Sequence, residues 1–351
     1  MPHMTKFSIL PLLLFVALVA GRPAVAVAQD KEFTQFYATP LTLNPALTAN
    51  MEGKYRVASI YRDQWRRALD NPITSFAVAG DFRFNVAPKK AFNDAIGLGL
   101  VFVNDRINVI DFNTTQIAVS LAYHKALDAA ERQFLSLGIQ GGVTQRSVNY
   151  ASLNFHDEFD GLTGYNLPTL ENLPENNFAY PDYNVGLNYS ARLGRAAAVY
   201  VGVAMHHFLE PNISFFSSGL PGDKLSRKLS GQFAANLPIT NRVSLLPRFL
   251  IAQQGPHLQI NTGANVRTVV GKYGTGAFHL GTWVRPVRNN DSFGMDAIVA
   301  LVGFELNNVL LGLSYDLNLR ALSANVRQGA FEISIAYLGE YESEEILCPK
   351  F

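Results

Sequence analysis

Gln116-Ile117-Ala118-Val119-Ser120-Leu121-Ala122-Tyr123-His124 decides the fold. Ile117, Val119, Leu121 and Tyr123 occupy one set of alternate positions, and Gln116, Ala118, Ser120, Ala122 and His124 the other. A two-residue period belongs to an extended strand whose faces meet different surroundings. Here one face is large and greasy, the other small or polar. The design recurs at 183–193, where Tyr183, Val185, Leu187, Tyr189 and Leu193 oppose Asn184, Gly186, Asn188, Ser190 and Arg192. At 258–268 Gln259, Asn261, Gly263, Asn265 and Arg267 share the polar face, and 311–318 and 331–337 repeat the alternation.

Working outward, the same period predicts fourteen strands, at 54–64, 73–85, 95–105, 113–125, 132–148, 182–193, 196–209, 225–237, 242–254, 258–271, 276–288, 292–305, 308–318 and 328–339. Strands of soluble proteins usually run about five or six residues, whereas tilted membrane-spanning strands need about nine to eleven. Length therefore selects an all-β transmembrane antiparallel barrel. Composition agrees: 48% of the chain is apolar and only 16% charged, against about 25% charged in ordinary soluble domains. Mean hydropathy is only +0.08, too low for a bundle of membrane helices. Beyond residue 28 no apolar run approaches the roughly 18 residues of a spanning helix. Closure follows, because an open sheet edge in lipid would strand unpaired amides and carbonyls.

The connections carry a second signal. Even-numbered gaps (86–94, 126–131, 194–195, 238–241, 272–275, 306–307) are short, while the odd ones hold 149–181, 210–224 and 319–327. Short turns on one side and long loops on the other are the habit of outer-membrane barrels. The expected layout is a cleaved signal peptide at 1–28, a leader at 29–53, the barrel at 54–339 and a tail at 340–351, with both termini periplasmic. Lys6, the apolar stretch 7–20 and Ala26-Val27-Ala28 have the tripartite form of an export signal. The leader does not alternate, so it either plugs the lumen or stays below the barrel. Glycines on the inner face, such as Gly97, Gly99, Gly138 and Gly142, are read as points of curvature unless something fills the bore.

Charge excludes other classes. Twenty-nine basic and 28 acidic side chains leave a net charge of +1, which offers nucleic acid no global field. Cys348 is the single cysteine, so no intramolecular disulfide forms.

Gln35-Phe36-Tyr37, Leu43-Asn44-Pro45-Ala46, Arg56-Val57-Ala58, Tyr61-Arg62-Asp63-Gln64-Trp65 and Thr74-Ser75-Phe76 through to Asp81 follow one another in the leader and first hairpin. In that order they resemble the opening of the PorP/SprF family, outer-membrane proteins of the type IX secretion system of Bacteroidetes. The resemblance implies a non-enzymatic component that helps secrete, or anchor at the cell surface, a protein carrying a type IX C-terminal signal. Its implied partners are a secreted, gliding-type adhesin or its C-terminal signal domain, translocon or periplasmic ring components, and outer-membrane lipid. It implies no cofactor and no catalytic residue. Gln35, Phe36, Tyr37, Asn44, Pro45, Ala46, Tyr61, Arg62, Gln64 and Trp65 are thereby candidate plug or partner contacts. Asn44-Pro45-Ala46 ahead of fourteen strands is also similar to the fatty-acid channel family, which would imply transport of hydrophobic small molecules.

Among candidate sites, the lumen-side charges Arg56, Asp81, Arg83, Arg192, Arg248, Arg267, Asp316 and Glu332 are the most informative. Charges in a low-dielectric wall are costly unless paired or hydrated. Opposite signs therefore predict a cross-lumen network that locks the barrel or grips the leader, the alternative being the lining of an aqueous pore. Asp157, Glu158 and Asp160 in the longest loop offer oxygen ligands to calcium but lack the alternating spacing of an EF-hand. His206 and His207 end a predicted strand, and adjacent strand residues point to opposite faces, which argues against one shared metal ion.

Overall fold

The computed structural model describes residues 30, 32–51, 53–66, 71–86, 94–193, 197–216, 224–271, 276–288, 293–319 and 329–341. The export signal, the tail beyond 341 with Cys348, and the turns at 194–195 and 272–275 lie outside the described residues.

Fourteen strands close into a single barrel in sequence order. They are β1 (Gly53–Gln64), β2 (Ile73–Val86), β3 (Asp94–Ile107), β4 (Phe112–Ala126), β5 (Gln133–Val148), β6 (Asn177–Leu193), β7 (Ala197–His206), β8 (Lys228–Pro238), β9 (Val243–Gln254), β10 (His257–Val270), β11 (Gly276–Arg288), β12 (Phe293–Leu306), β13 (Val309–Asn318) and β14 (Gly329–Tyr341). Antiparallel pairing of β1 with β14, from Gly53 opposite Tyr341 to Gln64 opposite Ala330, seals the cylinder. Every strand thus has two neighbours and no edge runs its full length in lipid. Among the described residues no helix is long and apolar enough to cross a membrane.

The alternation is expressed as in and out. Ile117, Val119 and Leu121 are exposed on the outer face, and Ala118, Ser120 and Ala122 are buried toward the bore. Leu98, Leu100, Leu137 and Ile139 continue the outer band on neighbouring strands. The apolar exterior is matched to hydrocarbon, where these side chains cost nothing to display.

The boundaries differ most from the periodicity at β6, β7 and β8, the last beginning at Lys228 rather than 225. β6 begins at Asn177, five residues before the expected 182, and β7 stops at His206 rather than 209. The causes are linked. Pro181 interrupts the apparent pattern, yet a proline is tolerated where one side of a strand lacks a partner. Pairing of β6 with β7 reaches only Val185 opposite Met205, and beyond Tyr183, whose carbonyl accepts the Phe208 amide at 3.0 Å, residues 177–182 have β5 as their one neighbouring strand.

Residues 32–51 lie inside the cylinder. A short helix α1 (Pro40–Leu43) is followed by a single 3-10 turn over Pro45–Leu47. Asn44 starts that turn: its Oδ1 accepts the Ala46 amide at 2.8 Å, and Pro45 takes the first position, where its missing N–H is not needed. The Asn-Pro-Ala motif is thus a capping device. Direction matters too. Asp30 lies at the ends of β7, β8 and β9 that carry the connections 207–227 and 255–256, while residue 53 enters β1 at the opposite, short-turn end. The leader therefore runs the length of the bore.

The inner glycines take on a different meaning from curvature. A Cβ at Gly138 would overlap the Pro45 and Ala46 backbone, and one at Gly186 would overlap Asn44 Oδ1. At Gly99 it would meet Leu41 Cδ2 at 2.5 Å. These positions are recesses that admit the leader; Gly142, which faces Ala118 of the wall, is not one of them. Gly186→Val is expected to cost about 1–3 kcal/mol by overpacking and to expose the Ala46 amide to hydrogen exchange. Unchanged protection at Ala46 would rule the recess out as a leader seat.

Candidate functional site: a leader gripped inside the barrel

The tightest grip is a charged cluster drawn from β1, β11, β12, β13 and β14. Glu332, fully buried, accepts the Thr34 amide at 2.7 Å on one carboxylate oxygen and the Gln35 amide at 2.9 Å on the other. The Thr34 hydroxyl donates to Asp316 (2.8 Å) and accepts from Arg62 (2.9 Å) and Arg285 (2.8 Å). Arg62 bridges Asp316 (3.1 Å) and Glu332; Arg285 bridges Asp316 (2.8 Å) and Asp296 (2.8 Å). Gln35 completes the clamp by donating to Ser314 (3.0 Å) and accepting from Ser334 (2.7 Å). Buried charges of both signs are thus mutually paired, and their remaining lone pairs are spent on leader amides.

Below the clamp, Tyr37 is held by its ring. The Arg248 guanidinium lies 3.7 Å from the ring centroid, and Trp283 stacks on Tyr37 at 5.8 Å while meeting Phe36 edge-on at 5.6 Å. Trp283 Nε1 donates to Asn265 at 2.9 Å, which fixes the indole. Further along, Asn44 Nδ2 donates to the Leu187 and Val203 carbonyls, both at 3.2 Å. Thr48 meets Ser120 hydroxyl to hydroxyl at 2.7 Å and its carbonyl meets His124 Nε2 at 2.8 Å. Near the exit, Asp81 accepts the Ala49 amide at 2.6 Å while paired with Arg56 at 2.5 Å; Arg56 and Arg83 donate to the Leu47 and Ala49 carbonyls.

At the loop end an ionic hook holds the start of the leader. Asp30 contacts His207 Nε2 at 2.5 Å, its amide donates to Gln254 Oε1 at 2.7 Å, and Glu32 pairs with Lys228 at 2.9 Å and accepts from Gln259 at 3.0 Å. His207 also contacts Asp182 through Nδ1 at 2.8 Å. Contrary to the strand-alternation argument, both histidines turn inward. The strand ends at His206, and His207 adopts a left-handed φ of 55° that folds its ring back into the bore, while His206 contacts the Leu43 carbonyl.

Burial alone pushes the His207 imidazole down, but Asp30 and Asp182 on its two nitrogens lift it to about 9 from an ordinary 6.5. Asp30 is held well below the usual carboxylate range, His207 and Lys228 outweighing its desolvation. The groups facing His207 are Asp30, Asp182, Lys228 and its neighbour His206. A base whose pKa rises on folding contributes fully below 6.5 and loses that contribution as pH climbs through about 9. Asp30 loses its share only in acid. Amide protection at Asp30, corrected for intrinsic exchange, should therefore fall several-fold between pH 6.5 and pH 9. A flat profile, or the same fall in His207→Gln, would contradict the hook.

The expected site residues divide. Gln35, Phe36, Tyr37, Asn44, Pro45 and Ala46 all lie in the bore, with Arg62, Arg56, Asp81, Arg83, Arg248, Asp316 and Glu332 against the leader. Arg267 instead joins Glu305 (2.5 Å) and His279 in a wall cluster. Tyr61 faces outward between Phe76 and Ile333, Gln64 accepts from Arg62 at 3.4 Å, and the Trp65 amide donates to the Gly329 carbonyl beyond the strand end. Arg192 is half-buried near the turn end of β6, outside these clusters. Sequence reading missed Thr34, Arg285, Asp296, Asp30, Glu32, His207 and Lys228 as grip residues. Arg285 was findable: it shares the inward parity of Trp283 on β11.

The acidic loop spends its carboxylates internally. Asp160 accepts from Thr163, Leu162 and Gly164, which holds its carboxyl well below the usual range, and Asp157 accepts from Thr169 and Leu170. Among the described residues no group of three or more His, Cys, Asp or Glu is placed to hold a metal ion.

Solved structures similar to this chain include outer-membrane barrels. The CymD monoaromatic hydrocarbon channel is 12% identical, with a TM-score of 0.48 over 90% of this chain and 96% of that one. A FadL homologue from Pseudomonas aeruginosa is 10% identical, with a TM-score of 0.47 over 89% and 99%. BamA from Haemophilus ducreyi, lacking POTRA domains 1–3, is 8% identical with a TM-score of 0.39 over 81% and 70%. These likenesses carry no functional argument. No curated protein matches the chain. The family described as Type IX secretion system membrane protein PorP/SprF matches residues 25–337, the leader and almost the entire barrel. A closed membrane barrel whose opening segment is clamped to its own wall is thus the form this chain gives to the PorP/SprF family, to which it belongs.

Proposed function

We propose that the protein is a non-enzymatic outer-membrane component of the type IX secretion system that helps secrete, or anchor at the cell surface, a protein carrying a type IX C-terminal signal. The observation that carries this reading is the leader, which occupies the bore and is held by wall side chains at every level from Asp30 to Ala49. A barrel filled in this way offers its partners loops and rims rather than a conduit for an unfolded chain. Translocon or periplasmic ring subunits would meet the short-turn rim, and the secreted adhesin or its signal domain the long loops.

Long loops outward is the orientation usual for such barrels. It places the end of β14 at the periplasmic face, beside the start of β1. With that orientation Asp30, beside His207, would sit in the outer part of the bore. Pull-down from native membranes in mild detergent should recover a secreted protein with a type IX signal, or a translocon subunit. Repeated recovery of the intact barrel alone would defeat the proposal.

A further inference from the structure

The hook at the loop end differs in kind from the clamp beneath it. Thr34 and Gln35 are buried and bound through backbone and side chain alike, whereas Asp30 and Glu32 present carboxylates to His207 and Lys228 at the edge of a cavity of about 330 Å3. That volume lies within the range of small-ligand pockets, roughly 300–1,000 Å3. Phe36 and Tyr180 line the cavity together with His207 and Lys228. Gln254 and Gln259 complete the receiving set, one for the Asp30 amide and one for Glu32.

We propose that this recess is a binding site for an extended acidic peptide with carboxylates two residues apart, and that the Asp30–Glu32 hook is an internal stand-in for it. In an extended chain, residues two apart project on the same side, as Asp30 and Glu32 do toward His207 and Lys228. Lys228 is almost fully buried, and a buried ammonium without a counter-ion is strongly disfavoured. The hook therefore cannot simply lift away. It leaves only in exchange for another carboxylate, and an incoming acidic strand supplies the same groups to the same four partners. The leader remains in the barrel throughout, because the clamp on Thr34 and Gln35 is independent of the hook. An apolar side chain on the visiting peptide has the Phe36 and Tyr180 side of the cavity to enter. The proposal goes beyond a place in secretion and does not depend on it, since it concerns only which peptide chemistry this recess takes.

The test is intramolecular competition. A fluorescein-labelled pentapeptide Gln-Asp-Lys-Glu-Phe, copying residues 29–33, is titrated by fluorescence anisotropy onto the full-length protein in detergent. The hook-free variant Asp30→Asn/Glu32→Gln should bind it at least tenfold more tightly than the unmodified protein. Adding Lys228→Met, or Gln259→Leu if that variant misfolds, should abolish the gain, with heat-modifiable gel migration reporting barrel integrity. Equal binding of the neutral peptide Gln-Asn-Lys-Gln-Phe, equal affinity of the two proteins, or no binding to the hook-free protein would each overturn the proposal. Displacement of the bound peptide by millimolar glutarate as effectively as by unlabelled peptide would reduce the recess to a dicarboxylate site and overturn it as well.

Discussion

Glu332→Ala is expected to destabilise the folded barrel by about 3–5 kcal/mol, the usual cost of stripping one partner from a buried ion pair. Glu332 is fully buried, so no solvent replaces the lost carboxylate. Three groups lose an acceptor at once: the Thr34 amide, the Gln35 amide and the Arg62 guanidinium. Asp316 is then left to face both Arg62 and Arg285, and the local excess of positive charge adds to the penalty. Glu332→Gln separates charge from shape. It keeps one oxygen for a leader amide but presents an NH2 to the other, so it should recover only part of the loss. The measurement is the urea midpoint of the protein folded into lipid vesicles, with the leader followed by the Trp283 fluorescence that Phe36 and Tyr37 surround. A loss below about 1 kcal/mol, the value of an exposed pair, would mean that the cluster is hydrated and not a clamp.

The wall was legible in the sequence because a membrane barrel imposes one rule on every strand. Lipid on one side and a crowded bore on the other force strict alternation, and 308–318 was read within one residue of Val309–Asn318. The same rule fails where a strand has lost a neighbour. The stretch Asn177–Pro181 pairs with β5 alone, tolerates a proline and so looks like loop. What fills the bore was legible only in composition. Gly138 and Gly186 announced empty space on the inner face, but not whether curvature or a second segment used it. The grip itself is a three-dimensional fact. Thr34 reaches Glu332, 298 residues away, and Arg285 reaches Thr34 across 251. No local pattern encodes such a pairing. The charges Asp316 and Glu332 were visible as inward-facing and costly, and physics required them to find partners; that Glu332 finds backbone amides of the leader required the fold.

Deleting residues 30–51 is expected to convert a closed barrel into a conducting one, with single-channel conductance in planar bilayers rising by at least about tenfold. Small barrels of about eight strands are filled by their own side chains, whereas those of 16 to 18 leave an aqueous channel. Fourteen strands lie between these limits, so the state of this bore depends on the leader. Many of the inward positions it faces are small or polar, among them Gly99, Gly138, Gly186 and Ser120, and none of these spans the space once the leader is gone. Water entering there solvates Asp316, Glu332, Arg62 and Arg285, which keeps the emptied wall from collapsing. A tether supplies the converse. Thr48 and Ser120 meet with their hydroxyls 2.7 Å apart, so Thr48→Cys/Ser120→Cys should cross-link when oxidised and hold the lower leader in place. The cross-linked barrel should stay silent in moderate urea, while its reduced form gains transient openings as the clamp is released. If the deletion conducts no more than the complete protein, the wall closes on itself without its leader. The grip at Glu332 would then stabilise the barrel without serving as its stopper.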